Sequence, residues 1–149
     1  MRAVALCLAL LVSCADNPPI VYYLGGAFDA AEHKSFDEAC ERWNHVAIRQ
    51  SYWTDDPDEA TVRVFWRLDE NLPHPNRDAD GVSGPGVLYL QRGAHGEGLD
   101  RIVTHEIGHK LLGSDHLAPG ERGVMSENAN QKEVSEADKA LCRRKHACK

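Results

Sequence analysis

His105-Glu106-Ile107-Gly108-His109, continued by Lys110-Leu111-Leu112-Gly113-Ser114-Asp115-His116, is the stretch on which the fold turns. On a helix, His105 and His109 stand at i and i+4, so both imidazoles leave one face. Two imidazoles at that spacing can share one Zn²⁺ at about 2.0–2.1 Å. Glu106 projects beside them and can take a proton from a metal-activated water without being a ligand itself. Lys110, Leu111 and Leu112 extend the helix, and Gly113 is expected to break it in the left-handed conformation. Asp115 and His116 come after the break. Three of eight histidines thus fall between positions 105 and 116, and Met125 comes nine residues later, in Gly123-Val124-Met125-Ser126.

Outward from that helix, predicted for Leu99 to Leu112, the pattern is mixed. Upstream, Ile20-Val21-Tyr22-Tyr23-Leu24 is a β-rich run closed by Gly25-Gly26 and reads as a buried strand. Ser35-Phe36-Asp37-Glu38 matches a capping box and predicts a helix start at Ser35. Phe36, Ala39, Cys40, Trp43, Val46 and Ala47 then recur at helical spacing. Ile48 to Trp53 and Thr61 to Trp66 read as strands around an Asp55–Asp58 turn, residues 67–85 as a long loop, and Gly86 to Gln91 as a fourth strand. Downstream, Ser135 caps a last helix with Glu136 and Asp138 in its first turn, where the dipole favours them. Ala137, Ala140, Leu141 and Arg144 are expected on its packed side. The order β-α-β-β-β-α-α gives an α/β chain of the α+β type: one sheet with helices on it.

The composition narrows the function classes. The 149 residues suit one domain with a real core. Apolar residues make up 42% and charged ones 27%, which is globular composition. Seventeen Lys and Arg against 23 Asp and Glu leave a net charge of −6 with no basic stripe, which argues against nucleic-acid binding. His33, His45, His74, His95 and His146 read as surface or core residues, and Trp43, Trp53 and Trp66 as core or partly exposed aromatics. The acidic run Asp55 to Glu59 reads as a solvated turn. Its spacing lends no support to a structural calcium ion.

The segment from His105 to Met125 resembles the metzincin zinc metallopeptidases: a His-Glu-x-x-His helix, a Gly turn, a third His, then a Met-turn. Gly113-Ser114-Asp115-His116 is similar to the Gly-x-Asp-His of the matrixin-like members, and Val134-Ser135-Glu136-Ala137-Asp138 looks like the start of their last helix. The resemblance spans about residues 20–146. It implies a zincin-like, twisted, mostly parallel sheet with one antiparallel edge strand, an active-site helix, a Met-turn and a C-terminal helix. It further implies zinc-dependent endopeptidase activity: a zinc-bound water attacks the peptide bond while Glu106 carries the proton, and the peptide or protein substrate lies along the edge strand. Met125 would floor the site without ligating. The specificity pocket would lie between the active-site helix and residues 117–134.

Three features depart from the family. Three residues rather than two separate His109 from Gly113, which would rotate the downstream chain by about 100° if helical. The Met-turn lacks the Tyr and Pro that often come after the Met. No cysteine-switch propeptide is expected, since five residues separate Cys14 from the first strand. Asp115 keeps the family's spacing from His105, whereas His116 keeps the spacing from Gly113. His116 is the favoured third ligand because imidazole suits zinc better, with Asp115 the alternative.

Residues 1–13 read as a signal peptide. Met1-Arg2 is a positive start, and Ala3 to Val12 is an apolar run of about 15 Å as helix, half a bilayer span. Leu11-Val12-Ser13-Cys14 resembles a bacterial lipobox, which implies lipidation and membrane attachment at Cys14, a short tether over 14–19, and one catalytic domain over 20–149. An ordinary secretory signal is the alternative. Ala15 after the Cys would favour the outer membrane under the enteric sorting rule. The expected setting is therefore the bacterial cell envelope, or otherwise a secreted or periplasmic one, with the chain acting as a monomer. Of the remaining cysteines, Cys40 sits on an apolar helix face and reads as a buried free thiol. One pair is expected among Cys40, Cys142 and Cys148, with three pairings open, and Cys142 can reach Cys148 only if the last helix frays. The reading from another functional class is a zinc-binding, non-catalytic envelope lipoprotein that docks a partner.

Overall fold

A computed structural model describes residues 17–25, 28–67, 81–91, 96–128 and 131–149. The elements run β1 (Ile20–Tyr23), α1 (Ala30–Asn44), β2 (Ser51–Thr54), β3 (Val62–Arg67), β4 (Gly81–Gly84), β5 (Val87–Gln91), α2 (Glu97–Leu112) and α3 (Glu136–Arg144). The five strands form one mixed sheet in the order β2-β1-β3-β5-β4. β1 pairs parallel with β2 and β3, β3 pairs parallel with β5, and β4 returns antiparallel along β5.

Alternation decides which face of the sheet is covered. Ile20 and Tyr22, Val62 and Val64, and Leu88 and Leu90 are all buried, while Arg63 and Phe65 between them are exposed. The covered face meets Phe36, Ala39, Cys40 and Trp43 of α1 and Leu99, Ile102, Val103 and Ile107 of α2 in one core. Side chains of this size stabilise by about 1.5–3 kcal/mol each on full burial. On the open face Phe65 stacks on Tyr89, ring centroids 5.8 Å apart. Among the described residues no helix is long and apolar enough to cross a membrane.

Four local expectations are corrected. α1 begins at Ala30, not Ser35: Asp29-Ala30-Ala31-Glu32 is a second capping box six residues earlier. Asp29 accepts from the backbone N–H of Ala31 and Glu32 at 2.8 and 2.9 Å, and Glu32 accepts from Asp29 N–H at 2.6 Å. Ala is the strongest helix former, so the earlier start adds a turn at low cost. Ser35 is left inside the helix, donating to Ala31 O at 3.3 Å. β2 begins at Ser51 rather than Ile48, whose side chain is 44% exposed. The supposed 67–85 loop contains the edge strand β4, so the described residues hold one more strand than expected. On α3 Leu141 is buried and Ala137 packs against the core as expected, but Asp138 and Cys142 are buried as well and Arg144 is exposed.

The last helix ends at Arg144, and Cys142 bonds to Cys148 across a left-handed His146. The fraying that lets them meet is real and short. Cys40 stays a buried free thiol. The segment carrying Cys148 then pairs with Ala47, while Ile48 N–H donates to Ala147 O at 2.7 Å and Lys149 N–H to Val46 O at 2.9 Å. Residues 1–16, with the expected signal and Cys14, lie outside the described residues, as do His74 and His95.

Candidate metal centre

α2 carries the first two imidazoles. His105 is buried at 6% exposure and His109 half-buried, and their ring centroids are 4.5 Å apart. Gly113 ends the helix with φ 83° and ψ −161°. The positive φ agrees with the expected glycine stop, but ψ lies outside the left-handed helical basin, in a region open essentially to glycine alone. The chain then turns back through Ser114 and Asp115, and His116 comes to rest with its ring 5.3 Å from His105 and 4.8 Å from His109. Lys110, Leu111 and Leu112 all lie within α2, and the turn at Gly113 still brings His116 back to the two helix imidazoles. One candidate ligand atom from each of the three histidines lies within 4.8 Å of the others, so the group can hold a metal ion.

Two backbone carbonyls select the tautomers. His105 Nδ1–H donates to Val124 O at 2.6 Å, and His109 Nδ1–H donates to Gly113 O at 2.8 Å. A carbonyl only accepts, so each Nδ1 holds the hydrogen and each Nε2 keeps its lone pair for an ion. Burial lowers the His105 pKa to about 4, with the neighbouring imidazoles His109 and His116 acting in the same direction. Burial likewise lowers that of His109. Both shifts favour the neutral ring that ligation requires.

Glu106 is 4% exposed, and burial pushes its carboxyl up to about 8, opposed by the nearby Lys110 ammonium. Its Oε2 is buried without a hydrogen-bond partner. The buried oxygen without a partner belongs to the residue next to His105 on α2, and a buried polar atom left unpaired in this way calls for a partner such as water. The donor set fits a divalent ion: three imidazole nitrogens that can converge on one point.

Asp115 is placed elsewhere. Its carboxylate forms an ion pair with Lys145 on the outside of the molecule, which holds its pKa below the usual carboxylate value. It is not among the three side chains brought together. Met125 is fully buried. A Cβ on Gly108 would overlap Met125 Sδ and stand 2.8 Å from Trp43 Cζ2. Gly108 thus lets Met125 and Trp43 close on α2 directly behind the ligands. Trp43 is fixed there by donating from Nε1 to Thr104 O at 2.7 Å.

Asp138 does more than favour the α3 dipole. Its buried carboxylate accepts from the N–H of Val124, Met125 and Ser135 at 2.9, 2.8 and 2.8 Å, and from Ser135 Oγ at 2.7 Å. It pins the 124–125 backbone whose Val124 carbonyl orients His105. Ser135-Glu136-Ala137-Asp138 was legible as a cap, but the partners thirteen and fourteen residues upstream carry no sequence signal. Gly81 of β4 was missed with its strand. A Cβ there would come 2.7 Å from Glu106 Cγ, so the edge strand lies directly over the carboxylate. No family model matches the chain, and no curated protein matches it in sequence.

Proposed function

We propose that this chain is a zinc-dependent endopeptidase, with His105, His109 and His116 as ligands and Glu106 as the acid–base group. The observation that carries the proposal is the partnerless buried oxygen of Glu106, one residue along α2 from a candidate ligand of the three-imidazole group. A purely structural metal site closes its coordination with four protein ligands and has no use for such a group, whereas three protein donors leave a position open. The nitrogen-only donor set suits zinc. When bound, the ion supplies Lewis acidity to a water and to a substrate carbonyl.

The protein's own groups do the rest. Val124 O and Gly113 O hold two rings in the ligating tautomer. In its ionised form Glu106 takes a proton from the attacking water and delivers it to the departing amine; with its carboxyl pushed up to about 8 by burial, that form grows as the pH rises toward 8. Its buried setting keeps competing water away from that transfer. β4 has one free edge among the described residues, and an extended peptide can add there as a further strand. Asp115, engaged with Lys145, is left out of the ligand set. The same proposal puts the domain at the bacterial envelope, attached by acyl chains on Cys14.

The test compares the zinc content and the cleavage of fluorescein-labelled β-casein for the parent domain and Glu106→Gln. Both are expected to hold about one zinc, and the variant to lose roughly 10²–10⁴-fold in kcat. A zinc-loaded parent that cleaves nothing would sink the peptidase proposal in favour of a metal-binding module. Retention of zinc by His116→Ala, with loss by Asp115→Ala, would overturn the ligand set.

A further inference from the structure

β4 should be a weak strand. It is four residues long, Gly81-Val82-Ser83-Gly84, has two glycines and is paired only to β5. Glycine loses the most backbone entropy on ordering and offers no side chain to pack. Its position is nevertheless defined at both ends, and α2 defines it. At one end Gly81 packs against Glu106. At the other, the Lys110 ammonium donates to the carbonyl of Gly84 and, at 2.7 Å, to that of Val87. Gly84 and Val87 are paired residues, and they bracket the Pro85-Gly86 turn of the β4–β5 hairpin. Lys110 therefore fastens the closed end of this hairpin to the helix that bears His105, Glu106 and His109. Its stem is half-buried and its charge is directed onto backbone oxygens, making charge-assisted bonds stronger than neutral ones.

We infer that Lys110 is a positioning residue for substrate: its ammonium clamps the edge strand β4 at a fixed distance from the metal ligands, so that an extended peptide pairing with β4 presents its backbone to Glu106. This rests on the peptidase reading. It assigns a role to a side chain that neither ligates nor moves the reacting proton. A clamped edge binds an extended chain more tightly because less of it must be ordered at the moment of binding. Removal of the clamp should loosen binding while leaving the three imidazoles in place, and Lys110→Arg keeps the positive charge near Glu106.

The experiment uses Lys110→Met, which keeps the apolar stem, and Lys110→Arg, which restores the donors. Three quantities are measured on the zinc-loaded protein: zinc stoichiometry, amide hydrogen exchange of residues 81–84, and KM and kcat on fluorescein-labelled β-casein. A Kd for the same casein, read by anisotropy in the Glu106→Gln background, needs no cleavage. Lys110→Met is expected to keep its zinc, to exchange roughly tenfold faster at 81–84, and to raise KM and Kd about tenfold, or ~1.4 kcal/mol. Lys110→Arg is expected to recover most of each loss. Unchanged exchange at 81–84 overturns the inference, and so does faster exchange with unchanged KM and Kd. If the parent cleaves nothing but Lys110→Met still weakens casein binding and Arg restores it, the inference stands and the peptidase proposal falls. If the parent cleaves and Lys110→Met leaves KM unchanged, the reverse holds.

Discussion

Gly108 sits between two candidate ligands in a helix where glycine costs about 1 kcal/mol relative to alanine. It is retained because Met125 Sδ and Trp43 occupy the space of a Cβ. Gly108→Ala should therefore lower stability by ~1–3 kcal/mol in spite of its better helix propensity, and denaturant midpoints would show it. Asp138→Asn replaces a carboxylate that accepts four hydrogen bonds with an amide that can accept at only one end. We expect a loss of about 1–3 kcal/mol in stability and a 10–100-fold weaker zinc Kd, transmitted through Val124 to His105. An unchanged zinc Kd would separate Asp138 from the site. Burial pushes the Cys40 thiol up to about 12, from an ordinary value of 9.0. The folded state thus keeps a proton that the unfolded chain releases. Stability is unaffected below about pH 9 and falls above it, at up to ~1.4 kcal/mol per pH unit, until the folded thiol also ionises. Cys40→Ala should remove that alkaline slope from urea midpoints measured between pH 8 and 10. At this scale, His105, Glu106 and His109 were legible because helical spacing alone juxtaposes them. Gly108, Lys110 and Asp138 were not, since each acts on a partner that only the tertiary fold delivers.

Elements were legible where one periodic signal acted unopposed. β1, β3, β5, α2 and α3 lie within a few residues of their expected bounds. α1 failed at its start because two capping boxes, Asp29–Glu32 and Ser35–Glu38, compete, and the alanines between Asp29 and Glu32 tip the balance. Asp29→Ala should cost about 1 kcal/mol by removing the true cap, whereas Ser35 supplies none. β4 was invisible because its pattern is Gly-Val-Ser-Gly beside a proline: one β-branched side chain and no run. Its existence depends on β5 and on α2, both far from it in pattern. The antiparallel edge came from the resemblance to zincin-like chains, not from the residues of β4. The three candidate ligands also show this limit. His116 versus Asp115 was a choice between two spacings, and the φ and ψ of Gly113 decide which side chain faces α2.

For the molecule as a whole, the three imidazoles join α2 to the 114–116 segment, which has no regular structure of its own. An ion bound there favours the folded state by mass action. At a free zinc concentration 100 times its Kd, stability should rise by ~2.7 kcal/mol, and a chelator should reverse the gain in a thermal melt. No change in Tm on adding or withdrawing zinc would argue against ligation by these residues.

The corner where residues 146–149 meet residues 44–48 has a consequence for time rather than for energy. Lys149 Nζ reaches Asn44 O across 105 positions of sequence, and the neighbouring backbone bonds run over similar separations. Beside that corner the β1–β2 ladder begins, with Ile20 N–H donating to Gln50 O. A chain emerging from its amino end can form α1 early, but this corner stays open until residues 146–149 arrive. Contacts so distant in sequence make folding slow, because the loop must close before the bonds reward it. The corner between residues 44–48 and 146–149 is therefore expected to be among the last parts of the domain to close, after α1 and the helices between have formed.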